Sequence, residues 1–180
     1  MCWGRGQQPG HKQSRPSLKS TLLLHETLAE PWRGEVPTYV FGDRTYGRPD
    51  LETVVEGQAE LRRSDTVIRA DKLSYLQPED QALAEGHVRV SRGGNVYEGP
   101  LLELKVDAFE GYFDKPSYQF LRNQAHGTAD RVDFLDESRA VIHNASFTTC
   151  RRLPGPSWMP DWILRATEIR LDQDQNEGEA

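Results

Sequence analysis

A short segment of this sequence recurs at a nearly constant interval of 29 or 30 residues. The recurring positions, which are separated by 29, 30 and 29 residues, are Gly57, Gly86, Pro116 and Ala145. A repeat this short, built from alternating strands, buries its side chains only against neighbouring copies. The interval therefore predicts stacked β-hairpins that share one continuous surface.

A second set of positions marks the partner strand of each repeat. Its members, separated by 28, 29, 30 and 37 residues, are Gly42, Ala70, Gly99, Ala129 and Ala166. Apolar residues follow three and five positions after each member except Gly42, which is followed by Thr45 and Gly47. We interpret each of these positions as the start of a partner strand.

Pairs of apolar residues two positions apart place their side chains on one face of a pleated strand. Residues that favour turns separate the strands, in "QPED" at 77–80, "SRGGN" at 91–95 and "LDES" at 135–138. Helical periodicity is absent between residues 54 and 150. The sequence therefore predicts an all-β fold, a curled antiparallel stack of strands.

The shared apolar face is the candidate functional site. It allows two interpretations, a sealed core or an open trough that would fit an acyl chain. Its predicted members are Leu61, Leu73, Tyr75, Val88, Val90, Leu102, Leu104, Tyr118, Phe120, Val132, Phe134, Phe147, Ile169 and Leu171.

Composition and motifs exclude several classes of function. The net charge is −6 and the basic residues are scattered among acidic ones, which disfavours nucleic-acid binding. No apolar run approaches the roughly 20 residues of a membrane-spanning helix. The sequence has no nucleophile elbow, no phosphate-binding loop and no histidine pair with zinc spacing. We expect a protein without catalytic activity, metal or cofactor.

The first 37 residues differ in composition from the rest. They are rich in Gly, Pro and Gln, and we expect a disordered or linker segment at 1–37 followed by one folded domain at 38–180. The apolar run "TLLL" at 21–24 is too short for the core of a secretory signal. We therefore expect no intact signal peptide in this chain.

Two stretches of the sequence carry a family resemblance. The run "IRADKLSYLQPEDQALAEGHVRVSRGGNVYEGPLLELKVDAFEGYF", followed by "GTADRVDFLDESRAVIHNASFTTC", resembles the periplasmic N-terminal (OstA-like) domain of the lipopolysaccharide-assembly outer-membrane proteins (LptD, organic solvent tolerance proteins). The resemblance covers about residues 38–180. It implies a β-jellyroll, open along a hydrophobic groove, on the periplasmic side of the outer membrane.

The same resemblance implies a function and partners. The groove would receive the acyl chains of lipopolysaccharide from a bridge of similar jellyrolls and pass them toward an outer-membrane β-barrel, which works with a plug lipoprotein. This sequence stops at "DQNEGEA", so we expect it to lack the barrel. An open stack leaves unpaired backbone groups at its edges, and we expect the edge near residues 38–62 to dock the bridge jellyroll by strand addition.

The two cysteines are Cys2 and Cys150. By residue type alone, Cys150 is either a small half-buried side chain or a partner for Cys2 or for a segment outside this chain. The family resemblance implies that Cys150, in "TTC", and Cys2, near the N-terminus, correspond to the cysteines that form disulfides with a cysteine pair of the barrel.

Two other functions are compatible with the same pattern. A sealed β-roll could support barrel assembly without binding lipid. A carbohydrate-binding β-sandwich could use Tyr75, Tyr118 or Trp158 as stacking platforms. The second alternative needs aromatic rings on an exposed face, whereas Tyr75 and Tyr118 alternate in phase with the aliphatic residues.

Overall fold

The described part of the structure, a computed structural model, consists of residues 36–121, 123–150 and 159–172, together with the backbone of 177–179. Within these ranges all regular structure is β-strand, which confirms the predicted all-β class. The strands are β1 (Tyr39–Phe41), β2 (Arg44–Arg48), β3 (Glu52–Arg63), β4 (Thr66–Leu76), β5 (Gln81–Arg92), β6 (Asn95–Lys105), β7 (Glu110–Asp114), β8 (Ser117–Phe120), β9 (Ala125–Thr128), β10 (Arg131–Phe134), β11 (Arg139–Thr148), β12 (Leu164–Asp172) and β13 (Glu177–Glu179). Among the described residues no helix is long and apolar enough to cross a membrane.

The strands form one antiparallel sheet that curls on itself. Its main path runs β1, β3, β4, β5, β6, β7, β10, β11, β12 and β13, and β2 pairs with β3 beside β1. Strand β6 pairs with β7 along one half of its length and with β8 along the other half. In the same way, β11 pairs with β10 and with β9. This arrangement confirms the curled antiparallel jellyroll.

The long strands β3 to β6 bend near their middles. Pairing skips residues between Glu56 and Ala59 in β3 and between Glu85 and Val88 in β5, where one strand carries an extra residue. Strands β7 and β8 continue one another across the step at Pro116. The bends align across the sheet and divide it into two half-sheets. The first half-sheet carries the β3–β4, β5–β6 and β8–β9 turns, and the second carries the β4–β5, β6–β7 and β10–β11 turns.

The repeat positions lie at this bend. The prediction that the second set heads its strands is wrong for Ala70, Gly99 and Ala166, which lie inside β4, β6 and β12. Gly42 and Ala129 each lie two residues before a strand, β2 and β10. The three-residue step from Ala70 to Leu73 is the signature of the bend. Both side chains are buried, whereas a flat strand would place them on opposite faces.

Glycine is required at the bend by the backbone. Gly57 and Gly86 have φ angles of 76° and 71°, a region that L residues with a Cβ atom rarely occupy. A Cβ atom on Gly86 would lie 2.4 Å from Oδ2 of Asp71, whose same oxygen lies 2.8 Å from Nδ1 of His87. The two glycines thus let β3 and β5 turn from one half-sheet to the other.

The core lies between the two half-sheets. Its buried residues form one apolar cluster that extends from Val55 in β3 to Ile169 in β12. Among the described residues, the polar side chains that are buried belong to Thr66 and Thr148. The strands described here belong to a compact unit that spans Pro37–Ala180. Because residues 1–35 lie outside the described ranges, the disorder expected for 1–37 stays a prediction.

Candidate functional site

The structure brings all fourteen predicted groove residues together in the interior. Twelve of them are at most 8% exposed, and Phe147 and Leu171 are half-buried and pack against the same cluster. The apolar face is therefore continuous, as the pattern predicts. It is also closed: the expected open groove is shut in this structure, and its lining residues pack against one another.

Sequence reasoning missed the interior residues that precede the bend in each strand. Phe113 is fully buried three residues before Pro116, and Ile68 is fully buried two residues before Ala70. The signal that could have found them is an alternation counted backwards that begins two or three residues before each repeat position. Others of this group are Val55, Ala82, Ala84, Tyr97 and Ile142.

Opposite the bend, the turns of the two half-sheets meet along a line that we call the mouth. The rings of Tyr97, in the first half-sheet, and Phe134, in the second, are 5.1 Å apart at their centroids and meet edge to face. Phe109, in the β6–β7 turn, packs 4.9 Å from Phe134. The interior aromatic cluster therefore reaches the mouth.

Arg63, the last residue of β3, crosses the mouth from the first half-sheet to the second. Its Nη1 donates a hydrogen bond to Oδ1 of Asp80 at 2.6 Å, and its Nη2 lies 3.3 Å from Oδ1 of Asp107. The hydroxyl of Tyr75 donates to the same oxygen of Asp80 at 2.6 Å. Burial and this hydrogen bond raise the pKa of Tyr75, which keeps the phenol protonated.

Arg92, the last residue of β5, makes a second crossing. Its Nη2 lies 2.8 Å from Oε1 of Glu137 in the β10–β11 turn, and its guanidinium lies 4.4 Å from the ring centroid of Phe109. Nε of Arg92 is 3.5 Å from Asp65, on its own half-sheet. Sequence reasoning did not single out either arginine, although both follow a bend glycine by six positions.

A cavity of about 440 Å³ opens beside the second crossing. Aromatic rings of the interior cluster line it together with Arg92, Glu137 and Arg139. Asp136, at its rim, accepts hydrogen bonds from the side chain of Arg139 and from backbone N–H groups of the turn, which hold the pKa of its carboxyl well below the usual range. The rim is therefore charged while the walls are apolar.

The interior carries no ionised group among the described buried residues. The Tyr118 hydroxyl donates to the carbonyl oxygen of Ser146 at 2.7 Å, and burial raises the pKa of Tyr118 to about 12. Burial also raises the pKa of Tyr97. Both phenols stay neutral at physiological pH, so nothing in this interior would repel an apolar chain.

The other predictions concern sugar-stacking aromatic residues, the two cysteines and metal binding. Tyr75 and Tyr118 are buried, so neither offers a stacking platform for a sugar, and Trp158 lies outside the described residues. Cys150 is buried and its sulfur is in a disulfide. Because Cys2 also lies outside the described residues, the roles expected for the two cysteines stay predictions. Among the described residues, no cluster of His, Cys, Asp or Glu could hold a metal ion.

The first strand is a sheet edge in the described structure. There β1 pairs with β3 on one side only. Its outward-facing Tyr39 and Phe41 are more than half exposed and form a shallow hollow with Glu60 and Arg62. The edge thus combines unpaired backbone groups with exposed aromatic rings.

Known proteins resemble this chain over most of its length. No family model matches the chain. It is 63% identical over 163 residues to the LPS-assembly protein LptD of Albidiferax ferrireducens, 51% identical over 165 residues to that of Paracidovorax citrulli, and 41% identical over 158 residues to that of Cupriavidus necator. These matches cover 91%, 92% and 85% of the chain but 20%, 20% and 19% of the relatives.

The chain thus spans about a fifth of the length of the curated relatives that it matches. Their name confirms the resemblance derived from the "ADKLSY", "AEGHV" and "TTC" segments. The curled antiparallel jellyroll with its apolar interior agrees with the fold that this resemblance implies, although the groove is shut in this structure. The chain belongs to the LptD family of LPS-assembly proteins.

Proposed function

We propose that this chain is the periplasmic jellyroll of a lipopolysaccharide-assembly protein and shelters the acyl chains of lipopolysaccharide on their way to the outer membrane. The observation that carries the proposal is the apolar interior, which continues from β3 to β12 with no buried charge among the described residues. The names of the relatives support a role in lipopolysaccharide assembly. A bridge protein of similar fold, an outer-membrane barrel and a plug lipoprotein are the proposed partners.

The physical basis is transfer of methylene groups out of water. Each buried CH₂ contributes roughly 0.8 kcal/mol, so about ten sheltered methylenes would offset a large part of the cost of holding a lipid in an aqueous compartment. An interior lined with aliphatic and aromatic side chains, such as Leu73, Leu102 and Phe113, offers similar contacts along its length. An acyl chain can therefore slide without meeting one deep trap.

The closed interior favours a second candidate, a structural roll that supports barrel assembly and binds no lipid. The two functions differ in one respect. A lipid carrier must part its half-sheets and place an acyl chain against interior residues, whereas a structural roll keeps them packed. The test is therefore direct contact between lipid and interior.

Contact with lipid can be measured by replacing Phe120 with the photoreactive analogue benzoylphenylalanine in the full chain. Phe120 is 8% exposed and its ring lies 5.2 Å from that of Tyr118, so the probe reports on the interior. We expect ultraviolet light to produce an adduct with purified lipopolysaccharide. An aspartate at Phe120 would be less informative, because a buried charge would unfold the roll.

The control carries the same analogue at Tyr112, on the outer face of the second half-sheet, where the ring stacks against Arg131 at 4.1 Å. We expect no lipopolysaccharide adduct from that position. Equal adducts at Tyr112 and Phe120 would indicate adhesion to the surface, and no adduct at either position would favour the structural roll.

We further propose that the exposed edge of β1 receives the neighbouring jellyroll of the periplasmic bridge. Adding a strand to β1 would pair its free backbone groups and extend the apolar interior into the next roll. Tyr39 and Phe41 would be covered in the same step, which explains aromatic exposure at an edge.

We expect benzoylphenylalanine at Phe41 to crosslink to a purified jellyroll protein of the bridge, because this side chain borders the free edge. The same analogue at Tyr112 is the control, since β7 has a hydrogen-bonded neighbour on both sides. Crosslinks that form from Leu164 in β12 and not from Phe41 would assign the docking to the opposite end of the sheet.

A further inference from the structure

Two arginines occupy equivalent positions in successive repeats. Arg63 and Arg92 are 29 residues apart, and each is the last residue of a strand that bends at a glycine six positions earlier. Each side chain extends from the first half-sheet to acidic residues in the turns of the second. The same connection across the mouth is therefore made twice, one repeat apart.

These connections differ from the other ion pairs of the roll. Arg69 pairs with Glu60 at 2.6 Å, and Arg89 pairs with Glu98, but both pairs lie on the outer face of a single half-sheet. Such pairs join neighbouring strands that are already hydrogen-bonded. By contrast, the ion pairs of Arg63 and Arg92 join turns of the two half-sheets, which contact each other at the mouth through side chains.

The mouth is the side of the roll that can part. On the opposite side the strands β3 to β6 run continuously through the bend, so the covalent backbone holds the two half-sheets together there. The contact between Tyr97 and Phe134 resists opening of the mouth, because parting it exposes apolar surface to water. Ion pairs behave differently, since both charges regain water when they separate.

The burial of the partners agrees with this role. The side chains of Arg63 and Arg92 are 14% and 16% exposed, and Asp80, the nearer partner of Arg63, is 26% exposed. The outer partners, Asp107 and Glu137, are 73% and 65% exposed. Nε of Arg63 and Nη1 of Arg92 are buried and have no hydrogen-bond partner among the described residues. Water admitted by opening would satisfy both donors, which lowers the cost of leaving the closed state.

We propose that Arg63 and Arg92 form an ionic latch that holds the mouth shut when the roll is empty and releases it when an acyl chain enters from the side. This inference rests on the proposed lipid function and adds the route of entry. The latch explains how an interior that is packed in this structure can also serve as a lipid path.

The test is the double variant Arg63→Gln/Arg92→Gln, which removes both charges and keeps polar, hydrogen-bonding side chains. We expect the benzoylphenylalanine probe at Phe120 to form its lipopolysaccharide adduct about fivefold faster than in the parent chain, as loss of weak ion pairs predicts. Amide hydrogen exchange in the β4–β5, β6–β7 and β10–β11 turns should accelerate in the same variant, without lipid.

The matched control is Arg69→Gln/Arg89→Gln, which removes two arginine pairs within one half-sheet. We expect this variant to form the lipopolysaccharide adduct at the same rate as the parent chain and to leave amide hydrogen exchange at the mouth unchanged. A second test variant, Asp107→Asn/Glu137→Gln, alters only exposed acceptors and should accelerate adduct formation in the same direction, even where the arginine variant folds poorly.

Each outcome separates the latch from the lipid function. If both test variants form adducts and exchange amide hydrogens at the rates of the parent chain, the latch is overturned and the lipid function stays intact. Faster exchange at the mouth in a protein that forms no lipopolysaccharide adduct would support the latch and refute the lipid function. An equally large increase of the adduct rate or of exchange at the mouth in the control variant, Arg69→Gln/Arg89→Gln, would also overturn the latch.

Discussion

Replacing Phe113 by alanine is expected to lower the free energy of unfolding by about 3 to 5 kcal/mol, the range for a large side chain removed from a closed core. Phe113 is fully buried in β7, where it lies opposite Leu102 of β6 and Val132 of β10. Truncation leaves a cavity that these backbone-paired strands cannot fill. The measurement is urea unfolding of the full chain, followed by far-ultraviolet circular dichroism.

The matched control is Phe41→Ala in β1, where the same ring is 53% exposed. We expect the free energy of unfolding to fall by less than about 1 kcal/mol in this variant, because most of the Phe41 ring remains in water in the folded state. Similar losses for Phe113 and Phe41 would mean that the interior is hydrated in solution. The comparison thus also tests whether the roll is closed without lipid.

The second large effect is expected for Gly127→Ala. A Cβ atom at Gly127 would lie 1.7 Å from the carbonyl oxygen of Ser146 and 2.9 Å from the hydroxyl of Tyr118. Because that oxygen belongs to the backbone of β11, the paired strands must move apart, and the hydrogen bond from Tyr118 to Ser146 is lost as well. We expect a loss of about 3 kcal/mol, at the upper end for overpacking.

Gly93→Ala serves as the comparison for this variant. Gly93 has a φ angle of 54° in the β5–β6 turn, and a Cβ atom there meets nothing within 4 Å. We expect a cost of about 1 kcal/mol from backbone conformation alone. A loss at Gly127 no larger than at Gly93 would contradict the close approach of β9 and β11.

The interior could be predicted from the sequence to a large extent. Alternation after each repeat position identified Leu73, Val90 and Phe134 as neighbours on one face, and all three are buried together. This worked because the pleat of a strand converts a period of two into a shared face. The residues before the bend, such as Phe113, escaped because the three-residue step was interpreted as the start of a strand.

The crossings at the mouth could not have been predicted in the same way. Arg63 and Asp107 are 44 positions apart, and nothing in the local pattern of either strand shows that their turns meet. Contacts between turns depend on how sharply each strand bends and on the twist accumulated across the sheet. A regular offset from Gly57 and Gly86 identifies the arginines as equivalent but does not identify their partners.

By itself the sequence determined the strand content, the repeat length and the identity of the apolar face, because these follow from local alternation and from glycine at fixed intervals. Only the tertiary structure decided that the repeat positions are bends and that the apolar face is enclosed. It also brought Arg63 and Arg92 within ion-pair distance of acidic residues across the mouth. These features depend on contacts between distant residues, and such contacts form only when the bent half-sheets come together.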